Sequence, residues 1–113
     1  MDIEYVPNRG DIVWIGLDPQ RGHEQAGRRP AIVLSPQKYN SKSGLFICCP
    51  ITSQEKGYPF ETNIPSGLPV SGVILSDQVK SLDWRARGVE YTCAVPQVTI
   101  EQVVKKISLL ILR

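Results

Sequence analysis

The chain has 113 residues, with 13 Lys or Arg against 11 Asp or Glu and a formal charge of +2. That length fits one domain over residues 1–113, and apolar and charged fractions of 42% and 21% exclude a disordered chain. One histidine, His23, excludes a paired-histidine acid/base site and a histidine-rich catalytic metal site within one chain.

Cys48, Cys49 and Cys93 lack C-x-x-C spacing, so no zinc or thioredoxin-type motif is supported. Their odd number argues against a disulfide framework and for a reducing compartment. The longest unbroken apolar run, residues 45–49, falls far short of the ~20 residues of a membrane span. Asp2 and Glu4 stand where a signal peptide would carry its basic and apolar stretch. The expectation is a soluble, cytoplasmic protein with no membrane contact.

In chain order, residues 11–17 (DIVWIGL) read as the first strand. Residues 18–29 (DPQRGHEQAGRR) follow as a polar loop with one apolar side chain, Ala26. A connection that long in a compact domain is usually functional. Strands are predicted at 31–35 (AIVLS) and 45–53 (LFICCPITS), with one helical turn over 37–43 between them. Pro50 inside the third strand implies an edge, bulge or bend. After a polar loop at 52–59 come strands at 60–64 (FETNI), 72–79 (GVILSDQV) and 89–94 (VEYTCA). Several runs are apolar on both faces, which suggests a curled sheet. Short strands without βαβ alternation predict a small, mainly β, antiparallel barrel.

The last stretch changes period. Ile100, Val103, Val104, Ile107, Leu110 and Ile111 recur at three- and four-residue steps and predict a helix over 100–112. Thr99 with Gln102 reads as a capping box, and Glu101 precedes Lys105 in the favourable order.

Several places can carry chemistry. Pro30 biases Arg29 to an extended conformation at the mouth of a strand, where a guanidinium fork suits phosphate or carboxylate. The simpler alternative is a solvated pair, Arg28 and Arg29. Thr52 and Ser53 end an apolar strand; a hydroxyl there can donate to a phosphoryl oxygen or satisfy strand-end backbone groups. Lys80, Arg85 and Arg87 surround Trp84, a combination that suits single-stranded nucleic acid. Trp84 and Trp14 read equally as core residues. His23 and Glu24 are acid/base candidates or solvated loop residues, and the cysteines read as small buried hydrophobes.

RGDIVWIGLDP (9–19), GHEQAGRRPAIVLSP (22–36), CPITS with KGYPFE (49–61) and SGVILSDQVKSLDWRARG (71–88) together resemble the MazF/PemK (Kid-like) family of toxin–antitoxin ribonucleases. The segments occur in family order over nearly the whole chain. The resemblance implies an SH3-like β-barrel with a C-terminal helix, forming a homodimer. It implies a metal-independent endoribonuclease that needs no cofactor and cuts single-stranded RNA, often mRNA, to arrest growth. It also implies an acidic, MazE-like antitoxin that covers the RNA site. The family's catalytic arginine and threonine fall on Arg29 and Thr52, and a loop glutamate used by some members falls on Glu24. RNA contacts map onto Trp14, Lys56, Gln78 and Lys80; His23, Gln25, Arg28, Ser53 and Arg87 complete the candidate set. Such a site needs no protein nucleophile, because RNA supplies its own 2′-OH. Two alternatives stand beside this reading: a toxin of the same fold that poisons a DNA topoisomerase without catalysis, and a barrel module that binds RNA or protein without cutting.

Overall fold

The computed structural model describes residues 4–16 and 28–112. Its elements run β1 (Asp11–Gly16), β2 (Arg28–Val33), α1 (Gln37–Ser43), β3 (Leu45–Thr52), β4 (Glu61–Asn63), β5 (Val73–Leu75), β6 (Lys80–Asp83), α2 (Trp84–Arg87), β7 (Val89–Ala94) and α3 (Gln97–Ile111). Every ladder is antiparallel, in the order β4-β5-β3-β2-β1-β7, with β6 also paired to β3. Among the described residues no ladder joins β4 to β7, so the sheet is barrel-like and open along that seam. A bulge between Ile12 and Val13, opposite β7, adds to the curl.

β3 is the fork of this sheet. Its first half, Leu45–Cys48, pairs with β6, while Ile51 and Thr52 pair with β5. Pro50, which has no N–H to give to a ladder, falls where one neighbour has ended and the next begins. The bend expected there is this change of partner.

The expected strand over 72–79 ends early. The chain turns at Leu75–Gln78, closed by Gln78 N–H donating to Leu75 O at 3.0 Å. Ser, Asp and Gln here are turn and not strand chemistry. β6 and α2 then follow, two elements that the apolar pattern did not mark. β2 begins earlier than expected, at Arg28, because its ladder with β1 continues through Pro30 to Arg28 opposite Gly16. α3 also begins earlier, at Gln97. Its cap is Pro96, held at φ −66, with no side-chain cap bond, and Thr99 N–H donates to Pro96 O at 3.0 Å. Thr99 is a buried residue of the first turn, so the Thr99/Gln102 capping box does not form. α1 makes two turns instead of one, from Pro36 to Gly44, whose φ of 76 terminates it in the left-handed region.

Apolar residues on both strand faces are explained by two cores. Ile12, Ile32, Cys49, Ile51 and Ile74 pack with Ile100 and Val103 of α3. Val13, Ile15, Ala31, Val33, Phe46 and Cys48 pack on the opposite face with Leu82 and Trp84. A polar hub closes the second core. Asn40 is fully buried; its amide donates to Pro7 O at 2.9 Å and Ser35 O at 3.0 Å and accepts from Ser35 Oγ at 2.6 Å. Its carbonyl accepts Trp84 Nε1–H at 3.1 Å. No described helix is long and apolar enough to cross a membrane.

The three cysteines are free thiols. Cys48 and Cys49, adjacent in sequence, face different cores. Burial pushes both thiols up to about 12; Lys80 and Arg87 pull Cys48 the other way without offsetting it. At neutral pH both are protonated and unreactive. A thiol raised in the folded state holds its proton longer than in the unfolded chain. Stability is therefore complete below the ordinary thiol range of ~8.5 and falls as pH rises from there toward about 12. Thermal melts across that range should show the decline. At pH 8, iodoacetamide should label half-buried Cys93 first and Cys48 and Cys49 only after denaturation, as read by peptide mass mapping.

Candidate functional site

β2 and β3 pair with Ile32 opposite Cys49 and Ala31 opposite Pro50. Beyond the end of that ladder the two strands carry Arg29 and Thr52 to the same clefts. Their side chains form a ridge between two clefts, of about 460 Å³ and about 190 Å³, and line both. Residues far apart in sequence thus meet because a strand ladder places them.

The larger cleft is floored by Ile51 and Thr52, flanked by Trp14 and Pro30, and walled by Pro69, Val70 and Ser71. Trp14 is opposite Pro30 across the β1–β2 ladder and half-buried, so it belongs to the cleft and to neither core. Among the described residues Arg29 is the one charged residue lining this cleft. Its side chain is exposed, and among the described residues its guanidinium has no hydrogen-bond or ion-pair partner. Its donor fork is free for an anion.

Thr52 does two things. Its Oγ1 accepts Gln54 N–H at 3.0 Å, which is the strand-end backbone role. A hydroxyl that accepts there keeps its own proton to donate elsewhere. Both sequence readings of Thr52 are therefore compatible in one geometry.

The smaller cleft carries Lys56, Tyr58, Phe60, Glu61, Asp77 and Gln78 beside the ridge. Its loop is braced by Glu61, whose carboxylate accepts Lys56 N–H at 3.0 Å and Gly57 N–H at 2.9 Å. The Glu61 carbonyl accepts Lys106 Nζ at 2.6 Å, which ties the loop to α3. Aromatic faces and hydrogen-bonding side chains together suit a nucleobase.

Of the residues singled out in the sequence, Arg29, Thr52, Ser53, Trp14, Lys56 and Gln78 line these clefts. Glu24, His23 and Gln25 lie outside the described residues. Arg28 is turned elsewhere: its guanidinium donates to Trp14 O at 3.1 Å and stands 3.9 Å from the Glu90 carboxylate. Arg87 donates to Gly16 O at 2.6 Å and holds the end of β1. Lys80 is half-buried on β6 opposite Cys48 and lines neither cleft.

The basic–aromatic cluster around Trp84 is a structural one. Trp84 is 2% exposed, with Arg85 stacked 5.0 Å from its ring centre and donating to Ser41 O at 2.7 Å. Nucleic-acid stacking on Trp84 is excluded by burial. Gln54, Asp77, Glu61 and the 69–71 wall were missed by sequence reasoning. Glu61, Ser71 and Asp77 lie inside the segments that carry the family resemblance, but nothing in those segments marks them individually as cleft residues. Among the described residues no group of three His, Cys, Asp or Glu side chains could hold a metal ion.

Comparison with known proteins agrees in both sequence and shape. Residues 8–111 match the family model of the PemK-like, MazF-like toxin of type II toxin–antitoxin systems. The chain is 50% identical over 107 residues to the endoribonuclease toxin MazF of Escherichia coli K12, covering 95% of this chain and 96% of that one. Its fold superposes on a crystal structure of MazF from Deinococcus radiodurans with a TM-score of 0.86 and 50% identity, covering 95% and 97% of the two chains. It superposes on a MazE–MazF crystal structure from the same organism with a TM-score of 0.87 and 48% identity, covering 94% and 96%.

The Glu61 brace yields a direct test. Glu61→Ala removes the acceptor for two backbone amides at the smaller cleft. Hydrogen exchange at Lys56 and Gly57, followed by NMR, should speed up by about tenfold, in line with loss of ~1 kcal/mol or more of local hydrogen bonding. Amides in β1 and β2 should exchange as before.

Proposed function

The chain belongs to the PemK-like, MazF-like family of type II toxins, and from this we propose that it is the toxin of such a pair, a sequence-specific endoribonuclease acting on single-stranded RNA. The observation that carries the reading is the β2–β3 register, which supports Arg29 and Thr52 as one phosphate-binding pair on the ridge between two clefts.

The reaction is attack of the RNA 2′-OH on the adjacent phosphorus. The 2′-O–P bond forms and the P–O5′ bond breaks. The products are a 2′,3′-cyclic phosphate and a 5′-OH. Arg29 holds the scissile phosphate and stabilises charge that grows on its oxygens. Thr52 donates its hydroxyl proton to a non-bridging oxygen. Glu24 accepts the 2′-OH proton, with His23 or ordered water as the alternative base. Arg29 is too weak an acid to be a good proton donor, so the departing O5′ is protonated from solvent or from the base. Trp14 offers a stacking face in the larger cleft, while Lys56, Ser53 and Gln78 contact the strand around the ridge.

The active unit is a homodimer working in the cytoplasm without a metal or other cofactor. Leu109, Leu110, Ile111 and Leu112 expose a contiguous apolar end of α3, which supports that end as the face that meets the second copy. An acidic MazE-like antitoxin neutralises the toxin, since a ridge that attracts phosphate also attracts carboxylates. The relatives named above are MazF toxins, one of them named an endoribonuclease, and nothing favours the topoisomerase-poison alternative.

The assignment makes three predictions. In EDTA, purified protein should cut long single-stranded RNA, and Arg29→Ala should lose roughly 10²–10³ in rate while melting normally. RNA with 2′-H at the scissile nucleotide should bind without being cut; cutting of an all-DNA strand would refute the mechanism. Sedimentation should show a dimer for the wild type and a monomer for Leu110→Glu with Ile111→Glu.

A further inference from the structure

The wall of the larger cleft meets its floor at a backbone contact. Gly72 has φ +121, a conformation that glycine adopts without strain and L side chains rarely adopt. A Cβ on Gly72 would lie 2.2 Å from the carbonyl oxygen of Thr52, 3.0 Å from its carbonyl carbon and 3.1 Å from Ser53 Cα. All three are backbone atoms, which cannot swing aside as the end of a long side chain can. Gly72 itself is held in place. Its carbonyl accepts Ile64 N–H at 3.1 Å, and its neighbour Val73 pairs with Thr52 across the β3–β5 ladder.

The other glycines with positive φ differ. A Cβ on Gly57, Gly67 or Gly88 would meet nothing within 4 Å, and one on Gly10 or Gly44 would make contacts of 3.4 Å or longer. Gly72 is thus the described glycine whose bare Cα is needed for close approach as well as for its φ. The approach is to the peptide that carries the ridge threonine.

We propose that Gly72 is a positioning residue for RNA cleavage: its missing Cβ lets the cleft wall close on the Thr52–Ser53 peptide and so sets the Thr52 hydroxyl in the cleft it shares with Arg29. The inference rests on the assignment of Thr52 to the reaction made above. A Cβ would drive the Thr52 carbonyl back by more than 1 Å before ordinary contact is restored. A displacement of about 1 Å at a reacting group costs on the order of 10²-fold in rate.

The test is a double-mutant cycle on a single-stranded RNA with a mapped cleavage site, using wild type, Gly72→Ala, Thr52→Ala and the double variant. Gly67→Ala, which has positive φ but open space, controls for backbone strain alone. Gly72→Ala should lower kcat about 10²-fold with KM changed by less than about threefold, while Gly67→Ala stays near wild type. In the Thr52→Ala background, Gly72→Ala should cause little further loss, because both changes remove the same interaction. Multiplicative losses, an unchanged kcat in Gly72→Ala, or a Gly72→Ala chain with no cooperative melt at the assay temperature would each overturn the proposal. Full activity in Thr52→Ala would instead overturn the assignment of Thr52, and the proposal with it; the cycle separates that failure from the others.

Discussion

Ala31 lies opposite Pro50 on neighbouring strands, and the working surface is a consequence of that pairing. Just beyond it, the same two strands bring to shared clefts an arginine and a threonine that sequence separates by more than twenty positions. A hydrophobic pattern alone holds this register weakly. Around Ile32 and Cys49 the strands are buried on both faces, so a one-residue slip would still bury apolar side chains. Polar groups supply the specificity. Ser35 Oγ accepts Ile47 N–H at 2.8 Å, and Leu34 N–H donates to Ile47 O at 2.7 Å. Asn40 holds Ser35 in turn, through a bond that a slipped strand would leave unmade in a buried place.

The charge distribution divides along the same line. Several arginines that look alike in sequence have distinct tasks. Arg28, Arg85 and Arg87 give their donors to carbonyl oxygens of the chain, at Trp14, Ser41 and Gly16. Arg29 gives none within the described residues. A guanidinium committed to backbone carbonyls is stabilising; one left open beside a cleft is available to a phosphate. The small formal charge of +2 therefore says little about the interface, because among the described residues few of the cations face the clefts.

α3 reaches the site indirectly. Its inner face, Ile100 and Val103, fills the core beneath β3, and Lys106 grips the Glu61 carbonyl at the base of the smaller cleft. The same helix that carries the exposed apolar end thus supports the loop bearing Lys56 and Tyr58. Glu61 completes the brace by accepting two backbone amides of that loop. The cleft is consequently built on a strand ladder on one side and on a helix-anchored loop on the other.

The sequence by itself determined the class of fold, most strand positions, the terminal helix and the family, because β-branched runs, prolines and a 3.6-residue period are local signals. It also pointed to Arg29, Thr52, Ser53, Trp14, Lys56 and Gln78, through motifs of a few residues each. Where a side chain goes within a strand or turn is a different matter. Burial of Trp84, the turn that divides 72–79, and the commitments of Arg28 and Arg87 to carbonyls 14 and 71 residues away depend on non-local partners. The helix starts directly after Pro96, so Thr99 falls inside the first turn and is buried there instead of capping it. Tertiary structure alone decided that Arg29 and Thr52 line the same clefts and that Gly72 lies against the Thr52 peptide, since both are properties of strand pairing and approach distance, and neither is written in any one segment of the chain.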